Sequence, residues 1–253
     1  MQIQDTAALV TGGASGLGAA TATALAEAGA TVFALDLAAS IEKAGEAPAG
    51  IEYVEADVTD PASVSAAVAR AVGSGKPLRT VVNCAGIGTA GRILSKGGHH
   101  DLDLYAKIIQ INLIGSFNVL ALAAEEIAKT EPDEQGQRGL VVNTASVAAF
   151  EGQIGQVAYA SSKGGIVGMN LPAARDLAQF GIRVNTIAPG IIETPMLAGV
   201  EQKFRDALAE GVPFPKRLGR PDEYARLVLM LVEHDYLNGE VIRLDGALRM
   251  APR

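Results

Sequence analysis

Short, nearly continuous apolar runs recur along the chain, separated by longer Ala-rich stretches in which polar positions are mixed. The runs lie at Thr6–Thr11, Thr31–Leu35, Ile51–Glu55, Thr80–Cys84, Gly139–Thr144, Arg183–Ile187 and Glu240–Leu244. A strand covered on both faces is apolar nearly throughout, so these runs predict the strands of a buried parallel sheet. Helices are predicted between them at Leu17–Ala28, Pro61–Val72, Leu102–Thr130, Val157–Phe180 and Asp222–Glu233. Asp60-Pro61 and Pro221-Asp222 place proline in a first turn, where its missing N–H costs nothing. Gly29 and Gly181 stand where a helix stops in the left-handed region. Strand–helix alternation predicts an α/β fold, a doubly wound parallel sheet with helices on both faces. The polar stretch Lys129–Arg138 is too short to link domains and no internal repeat is present, so residues 1–253 read as one domain.

Composition narrows the function classes. With 49% hydrophobic and 19% charged residues the chain is globular rather than disordered. Aromatic residues are few, Trp is absent and the net charge is −7, which argues against a nucleic-acid partner. One cysteine, Cys84, excludes an intrachain disulfide and any Cys-rich metal site, and no resident metal is expected. The N-terminal stretch has no basic region ahead of an apolar one. The most apolar run, around Ile108–Ala124, contains Gln110, Asn112, Ser116 and Asn118 and reads as a buried helix. The expectation is a cytoplasmic protein with no membrane partner.

Two constellations carry chemistry. Gly12, Gly16 and Gly18 stand in TGGASGLG, directly after the first strand and opening the first helix. Glycines there allow a tight turn, close approach of a pyrophosphate and close helix–strand packing, while the helix start offers free N–H groups. Asp36 ends the second strand, and no Lys or Arg occurs between positions 13 and 42. A carboxylate there accepts bonds from ribose hydroxyls and repels a 2′-phosphate, which predicts NAD rather than NADP. The second constellation is Tyr159 and Lys163 in YASSK, four apart and so on one face of a helix. A nearby ammonium favours tyrosinate and is expected to lower the tyrosine pKa toward neutrality. Ser146 lies just beyond a strand, at the carboxyl edge where open α/β sheets bind ligands.

TGGASGLG, NCAG at Asn83–Gly86, Asn112, Ser146, YASSK and Pro189-Gly190 follow one another in the order found in short-chain dehydrogenases/reductases. The sequence resembles that family over essentially its whole length. The resemblance implies a Rossmann-type domain with a seven-stranded parallel sheet. It implies that Tyr159 is the general acid/base, that Lys163 lowers its pKa and holds the ribose, and that Ser146 binds the substrate oxygen. Asn112 would hold a water that relays protons to Lys163. Gly12, Ser15, Gly16, Leu17 and Gly18 would cradle the pyrophosphate, with Asp36 and Leu37 at the ribose. Asn83, Ala85 and Gly86 would line the adenine side, with Asp57 and Val58 reaching the adenine. Pro189, Gly190, Ile192 and Thr194 would surround the nicotinamide. Cys84 departs from the second Asn common in the family.

Further stretches, among them NTASVAAFEGQIGQVAYASSKGGIVGM and LNGEVIRLDGALRM, resemble family members that oxidise L-3-hydroxyacyl-CoA to 3-ketoacyl-CoA. That closer resemblance implies a substrate-contacting Gln153 and a homotetramer. Dehydrogenation of a hydroxysteroid or another secondary alcohol stays open beside it, as does a nucleotide-binding scaffold in an RNA-processing assembly. A substrate lid is expected over about 191–212, with Leu197, Val200, Phe204 and Leu208 as its apolar face. Lys203, Arg205, Lys216 and Arg217 make that region basic and are candidates to meet CoA phosphates. His99 and His100, beside Asp101 and Asp103, read as a solvated loop, and Val241–Met250 as a buried edge between subunits.

Overall fold

The strands are apolar because the sheet is sandwiched. In this computed structural model, which describes residues 1–197 and 201–252, the chain forms β1 (Ala7–Thr11), β2 (Thr31–Asp36), β3 (Ile51–Glu55) and β4 (Leu78–Asn83). A two-stranded hairpin follows, β5 (Leu94–Ser95) with β6 (Gly98–His99), and then β7 (Gly139–Thr144), β8 (Ile182–Pro189) and β9 (Val241–Leu244). The seven long strands form one parallel sheet in the order β3-β2-β1-β4-β7-β8-β9. The central strands β1, β7 and β8 are buried at every position, whereas the edges β3 and β9 are partly exposed.

Alternation along each strand sorts side chains onto two cores. Leu9, Val81, Val141 and Val184 face α3 (Pro61–Val72), α5 (Gly115–Ile127) and α7 (Val157–Ala178). Val10, Val82, Val142 and Ile187 face α1 (Gly16–Glu27) and α9 (Pro221–Glu233). The chain winds outward in one direction from β1 and in the other from β4. Their carboxyl ends therefore flank the switch point at which such sheets bind ligands.

Several boundaries differ from the sequence reading, each for a physical reason. The helix expected over Leu102–Thr130 is α4 (Leu102–Ile109), a π-helical stretch Gln110–Ile114, and α5. Leu102–Ile127 spans 26 residues and holds an 18-residue window of mean hydropathy 1.5, enough by length and composition to cross a membrane. Its buried side, including Ile108, Asn112, Ser116 and Val119, is instead packed within the fold. β4 ends at Asn83 because the Cys84 N–H leaves the ladder for the Thr11 hydroxyl at 3.1 Å. The helix α2 (Ala38–Ala44) lies outside the predicted helices because it buries no residue and shows no apolar stripe, whereas α8 (Gln202–Glu210) falls within the region expected as a lid and likewise buries none. A further short helix, α6 (Ala148–Glu151), precedes α7. Asp60 caps α3 through the Ala62 N–H, as the Asp-Pro start predicts.

At the start of α9, Glu223 accepts both Arg217 guanidinium nitrogens at 2.8 Å and the Arg220 N–H at 2.8 Å. Arg217 is thereby committed within its own loop. These bonds, the Arg217 pair foremost, hold the Glu223 carboxyl down to about 2 against an ordinary 4.5. The stabilisation is present above the unfolded value and is lost as pH falls toward the folded one. Glu223→Gln is expected to lower the thermal midpoint at pH 7 and to converge on wild type in melts taken progressively below pH 4.5.

Candidate active site

The glycine turn is shaped by what surrounds it. Gly12 takes φ +64° and a Cβ there would sit 3.0 Å from the Ala85 nitrogen. At Gly18 a Cβ would fall 2.1 Å from the Gly12 carbonyl oxygen, so α1 approaches β1 only because no side chain intervenes. Gly13, overlooked in the motif, is equally confined: its N–H donates to the Leu35 carbonyl at 3.0 Å, and a Cβ would meet that of Ala34 at 2.7 Å. Ser15 begins α1 in extended geometry without a side-chain cap, which leaves the first N–H groups for an anion. Leu17 follows in the first turn of the helix.

Asp36 stands at the end of β2 beside this turn. Its carboxylate accepts the Ala14 N–H at 3.1 Å and the Leu37 N–H at 2.9 Å. A carboxylate has about four acceptor sites, so two such bonds leave capacity for a diol. The Leu37 side chain is exposed next to it. Asp57 is exposed, but its carboxylate is engaged by the Thr59 N–H and hydroxyl, both at 2.8 Å, and Val58 is buried above Gly115.

Asn83, expected on the adenine side, turns its side chain into the core. Its amide donates to Asn143 Oδ1 at 2.9 Å and to the Ser116 carbonyl at 3.2 Å, in the core. Strand parity explains this, since Asn83 shares the face of Val81, toward α5. Ala85 and Gly86, beyond the strand, do border the glycine turn and Lys163. A Cβ on Gly86 would lie 3.1 Å from Asn112 Oδ1 and 3.6 Å from Lys163 Nζ.

Lys163 and Tyr159 project from α7 on one face. Lys163 is 5% exposed, its Nζ donates to the Thr144 carbonyl at 2.8 Å, and it stands 5.7 Å from the centroid of the Tyr159 ring. Burial lowers the lysine to about 8. The tyrosine does not follow the expected direction: burial pushes its phenol up, and only the Ser146 hydroxyl beside it pulls the other way. Ser146 is buried at the β7 end, and its Oγ accepts the Ala148 N–H at 3.1 Å.

Asn112 is wholly buried in the π-helical stretch, and both of its amide donors are committed. Oδ1 accepts the Ile87 N–H at 2.8 Å, while Nδ2 donates to the Ile87 carbonyl at 2.9 Å and to Ser162 Oγ at 3.0 Å. Its side chain therefore clamps the segment after β4 to α7, while Oδ1 keeps a second acceptor site for a further donor. Ser162 itself donates to the Tyr159 carbonyl. Ser162 and Thr144 were legible only as parts of YASSK and of a buried strand, with nothing to mark their partners.

The segment after β8 returns over the site. The Gly190 N–H donates to the Leu244 carbonyl at 2.9 Å, and a Cβ there would meet Asp245 at 2.9 Å. Pro189 accepts the Val147 N–H, Ile192 is buried beside Gly219, and Thr194 and Pro195 lie against Gly16. Of the expected lid, Val200 lies outside the described residues and Phe204 on α8 is exposed. Arg205 donates to the Leu197 carbonyl. A groove of about 460 Å³ runs beside α7 between Gly91–Leu94 and Gly152–Val157. Gln153 lines it, but its amide donates to the Ala251 carbonyl at 2.9 Å, so its nitrogen is held by the C-terminal tail. His99 and His100 sit on and beside the β5–β6 hairpin, and Asp101 caps α4.

The profile of the short chain dehydrogenase family matches residues 6–204. The chain belongs to that family. Among its relatives, 3-hydroxyacyl-CoA dehydrogenase type-2 of Bos taurus is 52% identical over 257 residues, 99% of this chain and 97% of the relative. The Drosophila melanogaster protein of that name is 52% identical over 254 residues, 99% of this chain and all of the relative. The crystal structure of 3-hydroxyacyl-CoA dehydrogenase type-2 from Mycobacterium avium superposes with a TM-score of 0.91 at 44% identity, covering 98% of each chain. As a member of the short-chain dehydrogenase family the chain is an oxidoreductase acting on CH–OH groups.

The glycine geometry is directly testable. Gly18→Ala overpacks the α1–β1 contact and is expected to lower the thermal midpoint by several degrees, from a cost of about 1–3 kcal/mol. Gly168→Ala, where a Cβ meets nothing within 4 Å, is expected to melt at or above wild type. Equal midpoints for the two variants would contradict the packing argument.

Proposed function

We propose that the chain oxidises L-3-hydroxyacyl-CoA to 3-ketoacyl-CoA with NAD⁺. One observation carries the catalytic reading: a buried lysine, a tyrosine and a serine converge at the carboxyl edge of the sheet, beside a glycine turn open to a dinucleotide. The acyl-CoA substrate is supported by the names of relatives at about half identity over nearly the full length.

The residues fit the cofactor. Gly12 and Gly18 let the turn close on the β4 end and on α1 with no side chain between, Gly16 supplies the positive φ at the start of the helix, Ser15 leaves the α1 N-terminus uncapped, and Asp36 retains acceptor capacity. NAD⁺, when bound, supplies the hydride acceptor and a positive charge. Leu37, Val58, Ala85 and Gly86 would line its adenosine half, and Pro189, Gly190, Ile192 and Thr194 the nicotinamide half. Lys163 has three donors and spends one on Thr144, which leaves others for a ribose hydroxyl. Tyr159 Oη takes the proton of the substrate hydroxyl, and Ser146 Oγ donates to that oxygen as it becomes a carbonyl. Because burial raises Tyr159, its ionisation depends on the positive charges gathered around it. Asn112 acts through the α7–Ile87 clamp that sets the positions of Tyr159 and Gly86. The groove between Gly91–Leu94 and Gly152–Val157, with Ile93, Leu94 and Ile154 exposed along it, suits an apolar acyl chain. Assembly as a homotetramer belongs to the same reading, and the half-exposed edge strand β9 and the exposed Phe117 offer apolar surface for it.

The decisive assay is NADH formation across L-3-hydroxyacyl-CoA thioesters of increasing length, with hydroxysteroids and NADP⁺ run in parallel. The expected result is turnover of the thioesters with NAD⁺ preferred. Turnover of steroids alone, or a preference for NADP⁺, would contradict the reading. Tyr159→Phe is expected to lose about 10²-fold or more in kcat while still binding NAD⁺. Asp36→Ala is expected to narrow the preference for NAD⁺ over NADP⁺.

A further inference from the structure

We propose that Tyr224 is a positioning residue for Lys163, holding from the opposite face of the sheet the threonine whose carbonyl anchors the ammonium. The inference rests on the catalytic reading of Lys163 given above. Tyr224 lies on α9, whereas Lys163 lies on α7, and the two helices cover opposite faces. Thr144, between them, is gripped from both sides. Its Oγ1 is 2.7 Å from the Tyr224 hydroxyl, and its carbonyl accepts Lys163 Nζ at 2.8 Å.

The end of β7 explains why that grip matters. The β4–β7 ladder stops at Asn83 and Asn143, so Thr144 lies one residue past the last pair on that flank. Cys84 has already left the ladder, its N–H donating to Thr11. What fixes Thr144 toward β4 is therefore side-chain contact: the Tyr224 hydroxyl, and the Cys84 sulfur 3.7 Å from both oxygens. Tyr224 is fully buried, and a buried phenol without a partner is costly, so the Tyr224–Thr144 bond ties α9 to the strand end. The titratable groups facing the Lys163 ammonium are Tyr159, on its own helix, and Cys84, at the end of β4. Tyr224 stands behind Thr144. Burial brings Lys163 down to about 8, so a small loss of its carbonyl partner changes its charge in the working range. Hydrogen bonding to a charged form favours that form, so loosening the anchor lowers the lysine value.

The test follows the Lys163 side-chain carbon resonance against pH in the isotope-labelled full chain, with the signal identified by its loss in Lys163→Met. Wild type is expected to titrate near 8. Tyr224→Phe is expected to titrate at least about half a pH unit lower, roughly a threefold fall in the ratio of ammonium to amine. Thr144→Val, which breaks the same bond from its other partner, is expected to match it and covers the case in which Tyr224→Phe folds poorly. The double variant is expected to go no further than either single one. With substrate, kcat is expected to fall about three- to tenfold, the range one neutral hydrogen bond carries, with KM for the thioester within about twofold. An unchanged or upward lysine titration in both single variants, or additive shifts in the double, would overturn the proposal. The two readings fail separately. An unchanged lysine titration alongside an inactive Tyr159→Phe refutes the role of Tyr224 alone, whereas an active Tyr159→Phe refutes the catalytic reading.

Discussion

One buried ammonium sets the terms for the site. Lys163 is almost removed from water, and an ammonium in that position is tolerated only if its protons find acceptors. The acceptor is a backbone carbonyl, Thr144, at the point where β7 runs out of neighbours on its β4 side. Sheet topology, strand length and the register of α7 must agree for that single 2.8 Å bond to form. The seven-stranded order puts β7 between β4 and β8, and α7 then crosses the β7 end with Tyr159 and Lys163 on the same face.

The surrounding hydrogen bonds are largely devoted to keeping that edge still. Asn112 bridges α7 and the segment after β4, and Ser116 donates to the Asn112 carbonyl within the same helical bend. The π-helical stretch thus lies where three elements are joined, in keeping with the occurrence of such stretches at functional sites. On the cofactor side, Asp36 binds the Ala14 N–H as well as facing the cleft, so the group read as selecting the ribose also closes the glycine turn. On the substrate side, Glu151 receives Arg243 and Arg249, and Gln153 is tied to the tail.

How much of this was legible depended on what each residue buries. β1, β7 and β8 declared themselves because both faces are covered, and the glycine turn did so because its spacing has few other uses. α2 buries nothing and leaves no trace in the pattern, while α8, inside the expected lid, shows an apolar spacing but keeps Phe204 exposed. The π-helical stretch kept its apolar positions close enough to helical spacing to pass as one long helix. The position of Asn83 was foreseeable to the residue, but its direction turns on strand parity, which one-residue uncertainty in a boundary reverses. The pKa of Tyr159 turns on a quantity the spacing does not carry: it shows that an ammonium is near, not how much water is removed, and in the chain alone desolvation is the larger effect.

Tyr159 places the strictest electrostatic demand on the site. The chain's own groups raise Tyr159, so its role as a base requires that NAD⁺ and Lys163 together bring it back down. Ultraviolet difference titration of tyrosinate, with and without saturating NAD⁺ and with Tyr159→Phe to identify the signal, measures this directly. The account predicts that NAD⁺ brings the Tyr159 midpoint below the ordinary tyrosine value of about 10, and that Lys163→Met abolishes the drop. A midpoint that stays above that value with NAD⁺ bound would contradict it.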